Sequence, residues 1–236
     1  GAWLGGQLGE DRKNVGALIR IFYDVFKRKG GTNRPALILK TNGAGFSEVE
    51  KADILDKISI IGESVGVQGP LPSVYLINGD LTDVEMNALY NHPKVKAMIS
   101  LQHAEGYGLP LAEFTVTGKP VITSNYSGPV DFLSKDHGAI LLPGQLTKIH
   151  DSAANEWIVQ GADWFTPNYA FAGQVMNDMF TNYDKYLEKS RKHSKYTKDN
   201  FSFDKMTEKL DEILSRYLVE SPTSFKINLP KLKKVE

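Results

Sequence analysis

Two glutamates, Glu105 and Glu113, flank the turn Gly106-Tyr107-Gly108, and here residue type and spacing could do chemistry. A carboxylate can accept hydrogen bonds from two adjacent hydroxyls, the pattern a sugar offers. Pro110 follows at a place where the first turn of a helix tolerates proline, because that N–H would be unpaired anyway. Gly118 reads as the C-cap of that helix and Pro120 as a stop before a strand at Val121-Ile122. Upstream, the apolar run from Val95 to Leu101 reads as a buried strand. A strand, a glycine loop and a helix N-terminus make an anion site, since free N–H groups and about half a positive charge emerge at that end. An anion pocket framed by hydroxyl-accepting acids suggests a sugar nucleotide.

Transfer from a nucleotide sugar leaves a diphosphate behind, so positive charge must meet it as the anomeric bond breaks. One ammonium about 4 Å away is worth roughly 4 kcal/mol at an effective dielectric near 20. The candidates are the N–H groups from Gly106 to Leu109 and the cationic pair Arg12-Lys13. Lys13 is expected to begin the first helix, where a cation opposes the helix dipole unless an anion compensates it. A solvated helix start is the alternative. Lys40 closes the second strand on the ligand edge and is either a further phosphate contact or a solvent-exposed end. The sequence has no Asp-x-Asp metal clamp, and its five histidines show no ligand spacing.

The elements that must position these groups follow from periodicity. A short strand is expected at Ala2–Gly5. Val15, Leu18, Ile19, Phe22, Val25 and Phe26 form one helical stripe, ended by Gly30-Gly31. Strands are expected at Pro35–Lys40, Val74–Ile77 and Ala139–Leu142. Ser47 with Glu50, and Thr82 with Glu85, are capping-box patterns. The first opens a helix with Ala52, Leu55, Ile58 and Ile61 on one side. Ser127-Gly128-Pro129 begins another short helix. Residues 143–167 read as a long, partly irregular connection, followed by helices over about 168–192 and 203–218. Strands alternating with helices imply an α/β fold, a single Rossmann-like parallel β-sheet domain with helices on both faces. Ligands of such sheets bind beyond the C-terminal strand ends, where the Glu105 loop lies.

Glu-x7-Glu within Glu105-Gly-Tyr-Gly-Leu-Pro110, closing on Gly118-Lys-Pro-Val-Ile122, resembles the signature of retaining nucleotide-sugar glycosyltransferases of GT-B architecture. These are the glycogen synthase and bacterial mannosyltransferase clan, the glycosyl transferases group 1. The resemblance covers residues 3–218 and corresponds to the C-terminal, donor-binding half of such an enzyme. It implies hexosyl transfer with retention, without a metal or other cofactor. A nucleotide-diphosphate sugar such as a UDP- or GDP-hexose would be the co-substrate. Glu105 would be the catalytic residue that faces and orients the donor sugar, stabilising it rather than attacking it. Glu113 would accept the ribose hydroxyls; the alternative is a partly buried glutamate beside Lys119. Lys13 would grip the diphosphate. Gln7 stands where the resemblance expects an arginine, so that half of the clamp is missing unless Arg12 or Lys40 substitutes. Asn78-Gly79 would edge the base pocket, and Tyr107 takes the place of a usual phenylalanine. His103 falls at a variable position, which favours a loop or core-edge histidine over a catalytic one.

Formal net charge is +0, which implies no strong field for nucleic acid or membrane. No apolar run is long enough for a transmembrane segment. Cysteine is absent, which excludes disulfides and cysteine chemistry. A cytoplasmic protein is the default. The expected organisation is a nucleotide-sugar-binding domain at 1–218 and a tail at 219–236, with the N-terminal acceptor domain of full-length relatives missing. Three readings stay open: a donor-binding domain inactive alone, a small transferase or hydrolase active by itself, and a non-catalytic nucleotide-binding or interaction module.

Overall fold

The computed structural model describes residues 3, 10–30, 34–41, 45–66 and 69–218. The strand expected at Ala2–Gly5 (apart from a buried Trp3), the Gly6-Gln7-Leu8 segment and the tail 219–236 lie outside the described residues. Parallel strands alternate with helices: α1 (Val15–Phe26), β1 (Leu37–Lys40), α2 (Glu48–Ser64), β2 (Val74–Ile77), α3 (Asp83–Asn91), β3 (Met98–Ser100), α4 (Leu109–Thr115), β4 (Val121–Ser124) and β5 (Ile140–Leu142). The strands hydrogen-bond in two groups, β1 with β2 and β3-β4-β5, all in parallel register.

Side-chain alternation divides the core between two faces. Val121 and Leu141 join Leu111 and Phe114 of α4 in one cluster. Their chain neighbours Ile122 and Leu142 join Ile19 and Phe22 of α1 in the other. A strand buried on both sides has no polar alternation, which is why these strands read as continuous apolar runs. Each such buried side chain is worth roughly 1.5–3 kcal/mol relative to exposure.

Local chemistry sets the helix starts. Thr82 and Glu85 form a complete capping box at α3. At α2 only half forms: Ser47 accepts the Glu50 N–H, while the Glu50 carboxylate turns to the N–H of Gly45. The buried face of α2 is Ile54, Ile58 and Ile61 rather than the expected Ala52 and Leu55, which are exposed. Helix α1 starts at Val15, so Lys13 precedes it instead of beginning it. The cause is Asp11, whose carboxylate accepts the N–H groups of Val15 at 3.0 Å and Gly16 at 3.3 Å.

Two further expectations are corrected. Residues 143–167 contain an antiparallel ribbon, β6 (Gly144–Lys148) with β7 (Asp163–Pro167). The helix expected over 168–192 is two, α5 (Tyr169–Thr181) and α6 (Tyr183–Asn200), broken at Asn182 with φ −120° and ψ 40°. Helix α5 packs Ala172, Val175, Met176 and Met179 into the cluster that α1 also fills. Helix α6 instead buries Ser190, His193, Ser194 and Thr197. Ser190 and Ser194 donate to the carbonyls of Gly118 and Val116, just beyond α4. The chain divides into two compact units, residues 1–198 and 199–236. The second contains α7 (Phe203–Tyr217), opened by Ser202, whose side chain accepts the Lys205 N–H.

Candidate functional site

The Glu105 turn leaves the C-terminal end of β3, and the Asp11–Asn14 turn is tied to the same place. The His103 N–H donates to the Arg12 carbonyl, and the Asn14 side-chain amide donates to the Leu101 carbonyl at 3.0 Å and to the Tyr169 hydroxyl at 2.9 Å. Asn14 is fully buried with φ 56°, a left-handed conformation asparagine adopts more readily than most residues. Burial pushes the pKa of Asp11 up from 3.8, against its N–H bonds and the charge of Lys57. The turn so built presents Lys13 to Glu105, and their side chains form an ion pair across ninety-two positions of chain.

A second loop holds Glu105 from behind. Its carbonyl accepts the Ser127 hydroxyl at 2.8 Å and the Gly128 N–H at 3.0 Å. Ser127 has φ 63°, a conformation that costs about 1–3 kcal/mol for a residue with a side chain. A Cβ added to Gly128 would lie 2.0 Å from the Gly106 carbonyl oxygen, so the two loops touch through backbone. Gly108 takes φ 88° as N-cap of α4, with Pro110 in the first turn. That helix has only seven residues, and the cation beside its start is Lys13, whose charge is held by Glu105. Tyr107 is partly exposed, its ring 5.0 Å from that of Phe132, and Leu109 is exposed.

Glu113 is not joined to Glu105. It lies on α4 toward α3, where Asp83 opens the helix after the Asn78-Gly79 turn. Burial, then the charge of Asp83, raise its pKa above 4.5. Burial and the charge of Glu113 likewise push Tyr90 up to about 12. Glu113 has no hydrogen-bond or ion-pair partner among the described residues. Asn78 Oδ1 is buried with no hydrogen-bond partner among the described residues. The Lys40 ammonium lies 5.4 Å from the centroid of Phe46, and Arg12 is exposed beside Lys13. Among the described residues no group of three or more His, Asp or Glu could hold a metal ion.

His103 is buried in the core behind the turn. Nδ1 lies 2.8 Å from the Phe165 carbonyl, to which it donates, and the ring stacks on Trp164 at 3.7 Å. Desolvation lowers its pKa to about 4, so it is neutral and its Nε2 an acceptor without a partner among the described residues. The residues that reasoning from sequence missed are Asp11, Asn14 and Tyr169. An aspartate four residues ahead of a helical stripe was the only local signal for any of them.

Among solved structures, the chain is similar to a Staphylococcus aureus TarM mutant in complex with fondaparinux, α-GlcNAc-glycerol and UDP. The TM-score is 0.56 at 18% identity, over 86% of this chain and 33% of that one. It is similar to Anabaena HepE in complex with UDP and glucose, with TM-score 0.56 and 12% identity over 91% of this chain and 48% of that one. It is also similar to the C-terminal domain of the group 1 glycosyl transferase LpcC from Francisella tularensis, with TM-score 0.55 and 11% identity, covering 81% of each. The chain thus spans about a third and about half of the first two proteins. No family model and no curated protein matches it. At these identities the likeness establishes the fold: helices on parallel strands, as in a GT-B glycosyltransferase domain.

Proposed function

We propose that this chain is the donor-binding domain of a retaining glycosyltransferase that uses a nucleotide-diphosphate hexose, UDP- or GDP-linked, without a metal. The observation that carries the reading is the meeting of Lys13 and Glu105 at the glycine turn on the C-terminal edge of the sheet. In this reading Lys13 and the first N–H groups of α4 take the diphosphate, and Glu113 accepts the ribose hydroxyls. Glu105 orients the hexose. As the anomeric C–O bond breaks, its electron pair goes to the β-phosphate oxygen, where Lys13 stabilises the charge. The acceptor oxygen bonds the anomeric carbon from the same face, and its proton passes to the departing phosphate. The acceptor site belongs to a second domain. UDP in two similar structures supports the nucleotide class and leaves GDP to experiment.

Calorimetric titration of UDP, GDP and ADP, and of their sugar conjugates, into the full chain tests the reading. One nucleotide should saturate the site. Glu113→Ala should weaken it by about 1.5–3 kcal/mol, the worth of hydrogen bonds to a charged group. Absence of binding by all three would sink the proposal. A non-catalytic nucleotide-binding or interaction module is the second reading, favoured by Gln7 where an arginine is expected. For a module that keeps its nucleotide, binding without transfer or hydrolysis, even when an acceptor domain is supplied, is its signature.

A further inference from the structure

Two residues other than glycine have positive φ among the described residues. Asn14, at φ 56° and ψ 34°, lies in the left-handed region that asparagine tolerates. Ser127, at φ 63° and ψ −160°, lies where essentially only glycine is found. Such a conformation persists only when its surroundings over-determine it, and here they do. Upstream, the Ser124 hydroxyl donates to the Gln102 carbonyl at 2.7 Å and the Asn125 N–H to the Leu142 carbonyl at 2.9 Å. Downstream, a single 3₁₀ turn at Gly128–Asp131 runs into Phe132, which is fully buried. Pro129 of that turn packs on Gly108, where an added Cβ would lie 3.1 Å from its ring. Glycine would bridge the same anchors without strain, so what distinguishes serine here is its hydroxyl.

We propose that Ser127 is a positioning residue for the nucleotide-sugar site proposed above, on which reading this inference rests. Its hydroxyl presets the Glu105 turn, and the folded chain carries the strain at Ser127 so that the ligand need not order the turn. The Glu105 carbonyl oxygen has two lone pairs. The Ser127 hydroxyl fills one and the Gly128 N–H the other, at 2.8 Å and 3.0 Å. The Glu105–Gly106 peptide therefore cannot rotate without breaking two bonds. In a trans peptide the N–H is antiparallel to the carbonyl, so the Gly106 N–H is aimed away from the Ser127 loop. That N–H has no backbone partner among the described residues. The Glu105 side chain leaves the same fixed segment, and its carboxylate meets Lys13. Ser127 thus acts through the backbone of Glu105. A preset site avoids the cost of ordering a loop on binding, and removing the hydroxyl moves that cost to the binding step. Stability and affinity then separate: glycine at 127 relaxes the backbone and loosens the turn.

The test is three substitutions in the full chain, Ser127→Ala, Ser127→Gly and Ser127→Thr. Each is melted by tryptophan emission and titrated by calorimetry with UDP, GDP and ADP. Glycine ordinarily weakens a fold relative to alanine. At 127 the order should invert, with Ser127→Gly melting roughly 2–6 °C above Ser127→Ala. Both should bind the nucleotide that saturates the unaltered chain about three- to tenfold more weakly, the worth of one hydrogen bond. Ser127→Thr keeps the hydroxyl on a stiffer side chain. It should melt below the unaltered chain, yet bind to within about twofold of it. A role in folding alone would move affinity and stability in the same direction. Ser127→Ala melting at or above Ser127→Gly, affinity unchanged in both, or Ser127→Thr binding as weakly as Ser127→Ala would overturn the proposal. Should Ser127→Thr fail to fold, the alanine and glycine variants decide alone. With nucleotide bound by the unaltered chain, such a result removes this inference and leaves the donor site standing. No nucleotide binding by the unaltered chain removes the donor-site reading and this one together.

Discussion

Glu113 and His103 show how one side chain's surroundings decide what it can do. On the donor-site reading Glu113 binds a ribose best as an anion, and desolvation with the charge of Asp83 raises its pKa above 4.5. Nucleotide affinity should therefore weaken as pH falls through that raised value, and Glu113→Gln should abolish this dependence. Calorimetry from pH 4.5 to 7.5 measures both. His103 moves the other way, with a pKa near 4 against 6.5 for the free side chain. Between those values the unfolded chain binds the proton and the folded chain does not. The contribution to stability is full above 6.5, worth ~3 kcal/mol, and is lost as pH falls toward 4. Urea denaturation of the unaltered chain and His103→Phe should give curves of different slope across this window. Neither group's setting is written in the sequence near it. Asp83 lies thirty positions from Glu113 and Trp164 sixty-one from His103, and only the fold brings them together.

At the scale of elements, what was legible was local. Thr82 and Glu85 sit three apart and form their box, and the apolar stripe of α1 gives its length almost unaided. The glycine turn and Pro110 set α4 in the same way. Illegible features were those whose partners are remote or polar. Asp11 moved the start of α1 by capping it from four residues upstream. Helix α6 escaped separation from α5 because its buried face is serine, threonine and histidine bonded to carbonyls, which hydrophobic periodicity does not register. The ribbon escaped because β6 has little apolar alternation and most of its residues are exposed. The contact between the Gly128 and Gly106 loops was equally invisible, and it is testable. Gly128→Ala must displace one loop from the other, since backbone cannot yield as a side-chain tip would. Tenfold or greater loss of UDP affinity is expected, matching ~1.4 kcal/mol, with helix content unchanged by circular dichroism.

For the whole molecule, the donor reading predicts a ligand-dependent melt. UDP at about 100 times its dissociation constant stabilises by ~2.7 kcal/mol, which for a chain of this size raises Tm by roughly 5–10 °C. Tryptophan emission is the signal to follow, because all three tryptophans fall within residues 1–198. A shift confined to one nucleotide identifies the base, and no shift with any of them counts against the donor site. The second unit needs its own probe. Helix α7 exposes Phe203, Met206, Leu210, Ile213, Leu214 and Tyr217, so its melting should be followed by far-UV dichroism rather than by tryptophan.

The pairing of Lys13 with Glu105 has a consequence for which anions the site admits. An arriving anion does not meet a bare ammonium; it must trade places with a carboxylate already there. The gain is the difference between two anions, not the full attraction of one. A singly charged visitor gains little by the trade, while a diphosphate brings more charge than it displaces and, on the proposed function, would release Glu105 toward the sugar. On the donor-site reading, the resting pair would act as a charge filter, favouring the doubly charged bridge of a nucleotide sugar over chloride and simple carboxylates.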